Sequence, residues 1–309
     1  MKQDIEFKSK GVTLRGWLIT PDTGEGPFPT VVMAGGWCYV REIVMPHYAK
    51  FMHEKGIATI IFDYRGFGAS EGTPRQHVNP WGQIEDYRNA ISFALTRPEV
   101  DPDRIGVWGI SLSGGHAIVL SGIESRIKAS VSIIPSVDGY SGSLRNHDTQ
   151  GLRRLKALIA EDRESRFKSG EYGYMAMSTR RPHEEASVFP FPETYEIFNA
   201  IKDSEAPLHE HWNTIASLEL WWQYDVFPFA KRNDDTPICV ILTSGDDLTP
   251  FDQQVAAFNH IATSKKKLVS VPNTTHMKLY SDLSHLQVVG ETGADFFEEH
   301  LIKAFETTK

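Results

Sequence analysis

The stretch Gly109-Ile110-Ser111-Leu112-Ser113-Gly114-Gly115 constrains this chain more than any other. Arg104 to Trp108 before it reads as a short buried strand, and a helix with small residues, Gly114, Gly115 and Ala117, follows at once. A serine at a strand-to-helix turn, with small residues two positions to either side, is a nucleophile elbow. The reason is steric. The turn holds the serine in a strained backbone conformation, and larger side chains at Gly109 or Ser113 collide with the neighbouring backbone. Ser113 stands where glycine is commoner and is small enough to fit. The turn also aims the new helix N-terminus at the serine, where developing negative charge is stabilised.

The rest of the pattern says what carries that elbow. Asp4–Lys8 and Thr13–Thr20 are strand-like runs split by Lys10-Gly11, a hairpin signal. Thr30–Ala34, Ile57–Phe62, Ile105–Trp108, Lys128–Ile134, Pro237–Thr243 and Lys267–Val271 read as further strands, several of them apolar throughout. Between them, Pro46–Lys55, Gln83–Thr96, Pro250–Ile261 and Ser284–Ile302 carry helical spacing. Alternating strands and helices predict an α/β class with a mostly parallel sheet covered on both faces. Residues 138–232 interrupt the alternation: they are richer in charge and aromatics and lack buried-strand runs. Leu152–Ala160, Glu193–Lys202 and Ile215–Tyr224 look helical there. The expected organisation is a core of residues 1–137 and 233–309 and a helical lid insertion of residues 138–232.

Functional loops belong at the carboxyl ends of parallel strands. Gly35-Gly36, Asp63, Ser111, Asp246 and His276 each follow a predicted strand. A serine hydroxyl needs a base within hydrogen-bond reach, and the base needs an orienting acid. The chain order Ser111, Asp246, His276 is the order tied to this elbow. Ser111 is therefore the expected nucleophile, His276 the general base, and Asp246 the group fixing the imidazole tautomer. Asp247 competes with Asp246, since both are short acids in one turn and spacing does not separate them. The oxyanion needs donors: the backbone N–H of Leu112, and one from the loop Ala34 to Tyr39, where Trp37 N–H is the candidate. Cys38 in that loop reads as a packed thiol, with no histidine placed beside it.

Composition narrows the partners. The net charge of −8, from 32 basic and 40 acidic side chains, argues against nucleic acid or anionic membrane. Two cysteines, Cys38 and Cys239, give no disulfide framework and suggest no zinc site. The start of the chain lacks a signal peptide's apolar segment, and no run approaches the roughly 18 apolar residues of a membrane span. A cytoplasmic enzyme without cofactor or metal, acting on a small acyl substrate and compatible with a homodimer, is the expectation.

These residues resemble the α/β-hydrolase superfamily over nearly the whole chain. Asp63-Tyr64-Arg65-Gly66-Phe67-Gly68-Ala69-Ser70-Glu71-Gly72 is similar to the segment that these enzymes carry after the strand preceding the nucleophile's. Asp246 to Pro250, Asp-x-Leu-x-Pro, is similar to the family's acid turn, and so favours Asp246 over Asp247. Within the superfamily the chain is most similar to the dienelactone-hydrolase-like and X-Pro-peptidase-like branch, which includes hydrolases and acyltransferases of polyketide clusters. Many relatives carry His-Gly at the oxyanion loop, where this chain has Gly35. The resemblance implies a serine hydrolase acting on an ester, thioester or lactone through an acyl-enzyme. The alternatives are acyl transfer or carbon–carbon bond hydrolysis by the same triad, and a non-catalytic binder on the same fold. Asp63 and Arg65 read as loop braces.

In the insertion, Trp221, Trp222 and Tyr140 are candidates for a substrate pocket, although such aromatics equally build a core. Adjacent residues on a helix point about 100° apart, so no more than one of Trp221 and Trp222 can face the site. Arg145, Arg153, Arg154, Arg180 and Arg181 suit a substrate carboxylate or a solvated face, the latter favoured. His209 and His211 have metal-ligand chemistry but no third ligand placed by motif.

Overall fold

The computed structural model describes residues 1–306 of the 309. The strands in chain order are β1 (Lys2–Ser9), β2 (Val12–Ile19), β3 (Phe28–Ala34), β4 (Ala58–Phe62), β5 (Val100–Ile110), β6 (Ile127–Ile133), β7 (Tyr174–Ser178), β8 (Ser187–Phe189), β9 (Trp212–Thr214), β10 (Ile238–Thr243) and β11 (Lys266–Val271). Eight of them form one sheet in the order β1-β2-β4-β3-β5-β6-β10-β11. The pairs β1–β2 and β2–β4 are antiparallel, and every pair from β4 through β3, β5, β6 and β10 to β11 is parallel.

The central strands are buried along their length because helices cover both faces, which is why they read as unbroken apolar runs. The helix Pro80–Ala94 starts at Asn79, whose side chain accepts from Gly82 N–H. Its Tyr87 ties two strand ends together: the hydroxyl accepts from Ala34 N–H at 2.9 Å and donates to Trp108 O at 2.8 Å. Because β3, β5, β6, β10 and β11 pair in parallel, their carboxyl ends open onto one rim.

The segment between β6 and β10 differs from the all-helical insertion expected. It contains the helices Gly139–Asn146, Thr149–Ser169, Pro192–Ser204 and Ile215–Trp221, but also a three-stranded sheet in the order β8-β7-β9. These strands have three to five residues, too few to stand out as strands in the sequence. Among the described residues no helix is long and apolar enough to cross a membrane.

Candidate active site

Ser111 occupies the turn between β5 and the helix Leu112–Ser121 with φ 60° and ψ −120°. A non-glycine residue here is strained by about 1–3 kcal/mol and must be held. Its N–H donates to Ile133 O at 2.9 Å, and its carbonyl accepts from Ser136 N–H at 2.9 Å, so the end of β6 fixes it from both sides. Gly109 is indispensable: a Cβ there would lie 2.0 Å from Ser113 O. Ser113, in the position where glycine is commoner, adds two bonds. Its hydroxyl donates to Ile110 O at 2.9 Å and accepts from Ile110 N–H at 2.8 Å.

Asp246 lies in the turn after β10, with its side chain fully buried. Its Oδ1 accepts from Leu248 N–H at 3.1 Å and Thr249 N–H at 2.8 Å; its Oδ2 accepts from the Thr249 hydroxyl at 2.8 Å and Gln254 Nε2 at 3.0 Å. Five residues after β11, His276 Nδ1 lies 3.0 Å from Oδ2 and 3.2 Å from Oδ1 of the same carboxylate. A buried carboxylate on Nδ1 holds the proton there and leaves Nε2 as the basic nitrogen. Asp247 is exposed and takes no part in this network.

Gly36 brings the oxyanion-loop segment against the elbow: a Cβ on it would stand 3.1 Å from Ser111 Cβ. Among the described residues, the N–H groups of Leu112 and Trp37 donate to no protein acceptor. Trp37 is buried, its indole packed edge-on against Trp221 at 5.3 Å and Phe189 at 5.8 Å. Burial pushes the Cys38 thiol well above its ordinary pKa, which keeps it protonated and a poor nucleophile.

Tyr280 was not singled out by the sequence. Its ring lies along that of His276, centroids 5.9 Å apart, and edge-on to Tyr39 at 5.6 Å. Its buried hydroxyl faces those of Tyr39 and Ser111 without a well-formed hydrogen bond to either, and burial raises its pKa far above the ordinary phenol value. Thr249 and Gln254 were also missed. The turn Asp246 to Pro250 carries a signal for Thr249, since an aspartate accepting from the N–H three residues on is a turn habit; nothing local marks Gln254.

The candidate pocket aromatics separate. Trp221 donates from Nε1 to Ser136 Oγ at 3.1 Å and, with Val137, Leu248, Thr249 and Pro250, lines a narrow crevice of about 10 Å³. Trp222 points elsewhere, donating to Ser143 Oγ at 2.7 Å and packing on Tyr140 at 5.5 Å; the Tyr140 hydroxyl accepts from Lys156. Neither Trp222 nor Tyr140 lines that crevice. Arg145, Arg180 and Arg181 pair on the exterior with Asp252, Glu196 and Glu184. Asp63 and Arg65 brace different partners: Asp63 accepts from the N–H groups of Arg41 and Ala69, and Arg65 pairs with Asp86. No cluster of three metal-ligating side chains occurs among the described residues.

A serine on a strained turn and a buried carboxylate–imidazole pair, gathered on one rim, are what acyl transfer requires. The sequence model of the X-Pro dipeptidyl-peptidase (S15) family matches residues 10–278. The chain belongs to that family. It has the α/β-hydrolase fold and is a hydrolase-type enzyme of the ester- and thioester-cleaving or acyl-transferring kind. Thiohydrolase aneE of Aspergillus aculeatus is 29% identical over 91% of this chain and 86% of its own length. Polyketide transferase af380 of Aspergillus fumigatus is 27% identical over 97% of this chain and 99% of its own. The crystal structure of the α/β-hydrolase GrgF from a Penicillium species superposes with a TM-score of 0.80 at 21% identity, covering 97% of this chain and 99% of that one.

Proposed function

We propose that this S15-family member hydrolyses a thioester or ester of a moderately apolar carboxylic acid through an acyl-enzyme on Ser111. The observation that carries the reading is the buried Asp246–His276 pair on the same rim as the strained Ser111. Ser111 Oγ attacks the acyl carbon while His276 Nε2 takes its proton. The oxyanion is held by the N–H groups of Leu112 and Trp37. Collapse breaks the bond to the thiol or alcohol, which leaves with the proton from His276. Water then attacks the acyl-enzyme while His276 takes its proton; the bond to Ser111 Oγ breaks, His276 returns the proton to Oγ, and the acid is released.

In this reading Trp221, beside Leu248 and Val137, is the residue that contacts the acyl chain. In the same reading residues 138–232 cover the core formed by residues 1–137 and 233–309. A cytoplasmic setting and a homodimer complete it, the latter open to sedimentation velocity. Transfer of the acyl group to an alcohol or amine is the second reading. It draws on the low exposure of the site, Ser111 at 6% and His276 at 2%, which restricts water.

Labelling by a fluorophosphonate probe tests the nucleophile: the wild-type protein labels and Ser111→Ala does not, while retaining its thermal midpoint. Labelling that persists in Ser111→Ala overturns the reading. Product analysis with an added acceptor alcohol separates the two outcomes, since only hydrolysis products at every acceptor level removes transfer.

A further inference from the structure

His209 and His211 belong neither to the pair at Asp246 nor to any metal cluster, yet both make well-defined bonds. His209 Nδ1 lies 3.0 Å from Cys38 O, its Nε2 lies 3.3 Å from His211 Nδ1, and His211 Nε2 lies 2.7 Å from Ser178 Oγ. A carbonyl only accepts, so His209 Nδ1 donates to Cys38. In a neutral ring Nε2 then accepts from His211 Nδ1–H, and His211 Nε2 accepts the Ser178 hydroxyl proton. Every bond of the chain is satisfied with both rings neutral. Burial favours that state, lowering His209 to about 3, with His211 adding to the effect, and His211 to about 4.

The same stretch grips the neighbouring residues. Asn213 Oδ1 accepts from Trp37 Nε1 at 3.0 Å, and Trp212 O accepts from the Cys38 thiol at 3.6 Å. Cys38 itself holds φ 58°, a left-handed conformation disfavoured for a residue with a Cβ. Its carbonyl direction, and with it the neighbouring peptide planes, needs an external partner to persist.

We propose that His209 and Asn213 are positioning residues: the segment His209–Asn213 of the insertion straps the loop Trp37–Cys38 in the conformation that presents the Trp37 amide to the acyl oxygen. The proposal rests on the reading of Ser111 as nucleophile and Trp37 N–H as oxyanion donor. The insertion is then a fixed part of the catalytic frame on this side, tied by the His209–Cys38 and Asn213–Trp37 bonds. A donor displaced by an ångström loses transition-state stabilisation while ground-state binding is little changed.

Steady-state hydrolysis of p-nitrophenyl butyrate by the full chain tests it. His209→Phe keeps the ring volume and removes the donor to Cys38. Its kcat falls about tenfold to a hundredfold with KM within about threefold of wild type. His209→Asn places an amide N–H near the Nδ1 position and restores most of the loss. If His209→Phe does not fold, Asn213→Leu, which removes the acceptor of the Trp37 indole, carries the same expectation. Wild-type kcat in whichever variant is folded, a loss confined to KM, or no rescue by His209→Asn overturns the proposal. Ser111→Ala is assayed alongside. Activity surviving in it removes the underlying reading, whereas an inactive Ser111→Ala beside a full-speed His209→Phe removes the strap alone.

Discussion

The rim of the eight-stranded sheet and the insertion beside it place their polar groups in opposite ways. On the rim each group sits a few residues beyond a strand of the sheet, and the Asp246–His276 bond joins residues 30 apart in sequence. In the insertion the consequential bonds run back to the oxyanion loop across 171 residues for His209–Cys38 and 176 for Trp37–Asn213. The rim is organised by strand ends, which parallel pairing brings together whatever lies between them. The insertion is organised by individual side chains finding distant partners. Groups on the rim are therefore expected to act on the chemistry, and groups in the insertion on the frame that holds it.

The sharpest way to break that contrast lies within one turn. Asp246→Asn should lower kcat by about ten-thousandfold, because an amide on Nδ1 stabilises the wrong tautomer and no charge. The exposed neighbour Asp247→Asn should leave kcat within about twofold, there being nothing for it to orient. Equal losses from both would erase the distinction between a placed and a merely adjacent acid. In the insertion the parallel pair is Trp221 and Trp222. Trp221→Ala, in the buried crevice, should cost about 3–5 kcal/mol in urea unfolding and raise KM for longer acyl esters. Trp222→Ala, which is only half-buried, should cost less than half of that and leave KM unchanged. A Trp222→Ala variant with the larger KM effect would mean that the pocket lies on the other side of this helix.

Smaller effects sharpen the description of the rim. Ser113→Ala removes both bonds to Ile110 and should destabilise by about 1–2 kcal/mol, read as a lower midpoint of thermal unfolding. Asp63 gives a pH signature. Burial raises its pKa to about 7, against the lowering effect of the Arg41 and Ala69 N–H groups and the Arg41 charge. A carboxyl raised on folding binds its proton more tightly in the folded state. Its contribution is therefore complete below the ordinary carboxylate range and is lost as pH rises through about 7. Relative to Asp63→Asn, wild-type stability in urea titrations should fall between pH 5 and pH 8; a flat difference would show that the buried carboxyl ionises as freely as an exposed one.

Sequence alone determined the α/β alternation, the elbow, and the loops on which Ser111, Asp246 and His276 stand. Strand burial leaves a period in the residues themselves, and a tight turn admits only small ones. It also separated Trp221 from Trp222 in principle, by helix geometry, without saying which faces inward. Tertiary structure decided which of two adjacent aspartates meets His276, that Tyr280 turns its hydroxyl toward Ser111, and that short strands lie within residues 138–232. It also decided that His209 of the His-Glu-His stretch meets the backbone carbonyl of Cys38. Those outcomes depend on burial and on bonds between residues far apart along the chain, whose energies come from neighbours that no local pattern encodes.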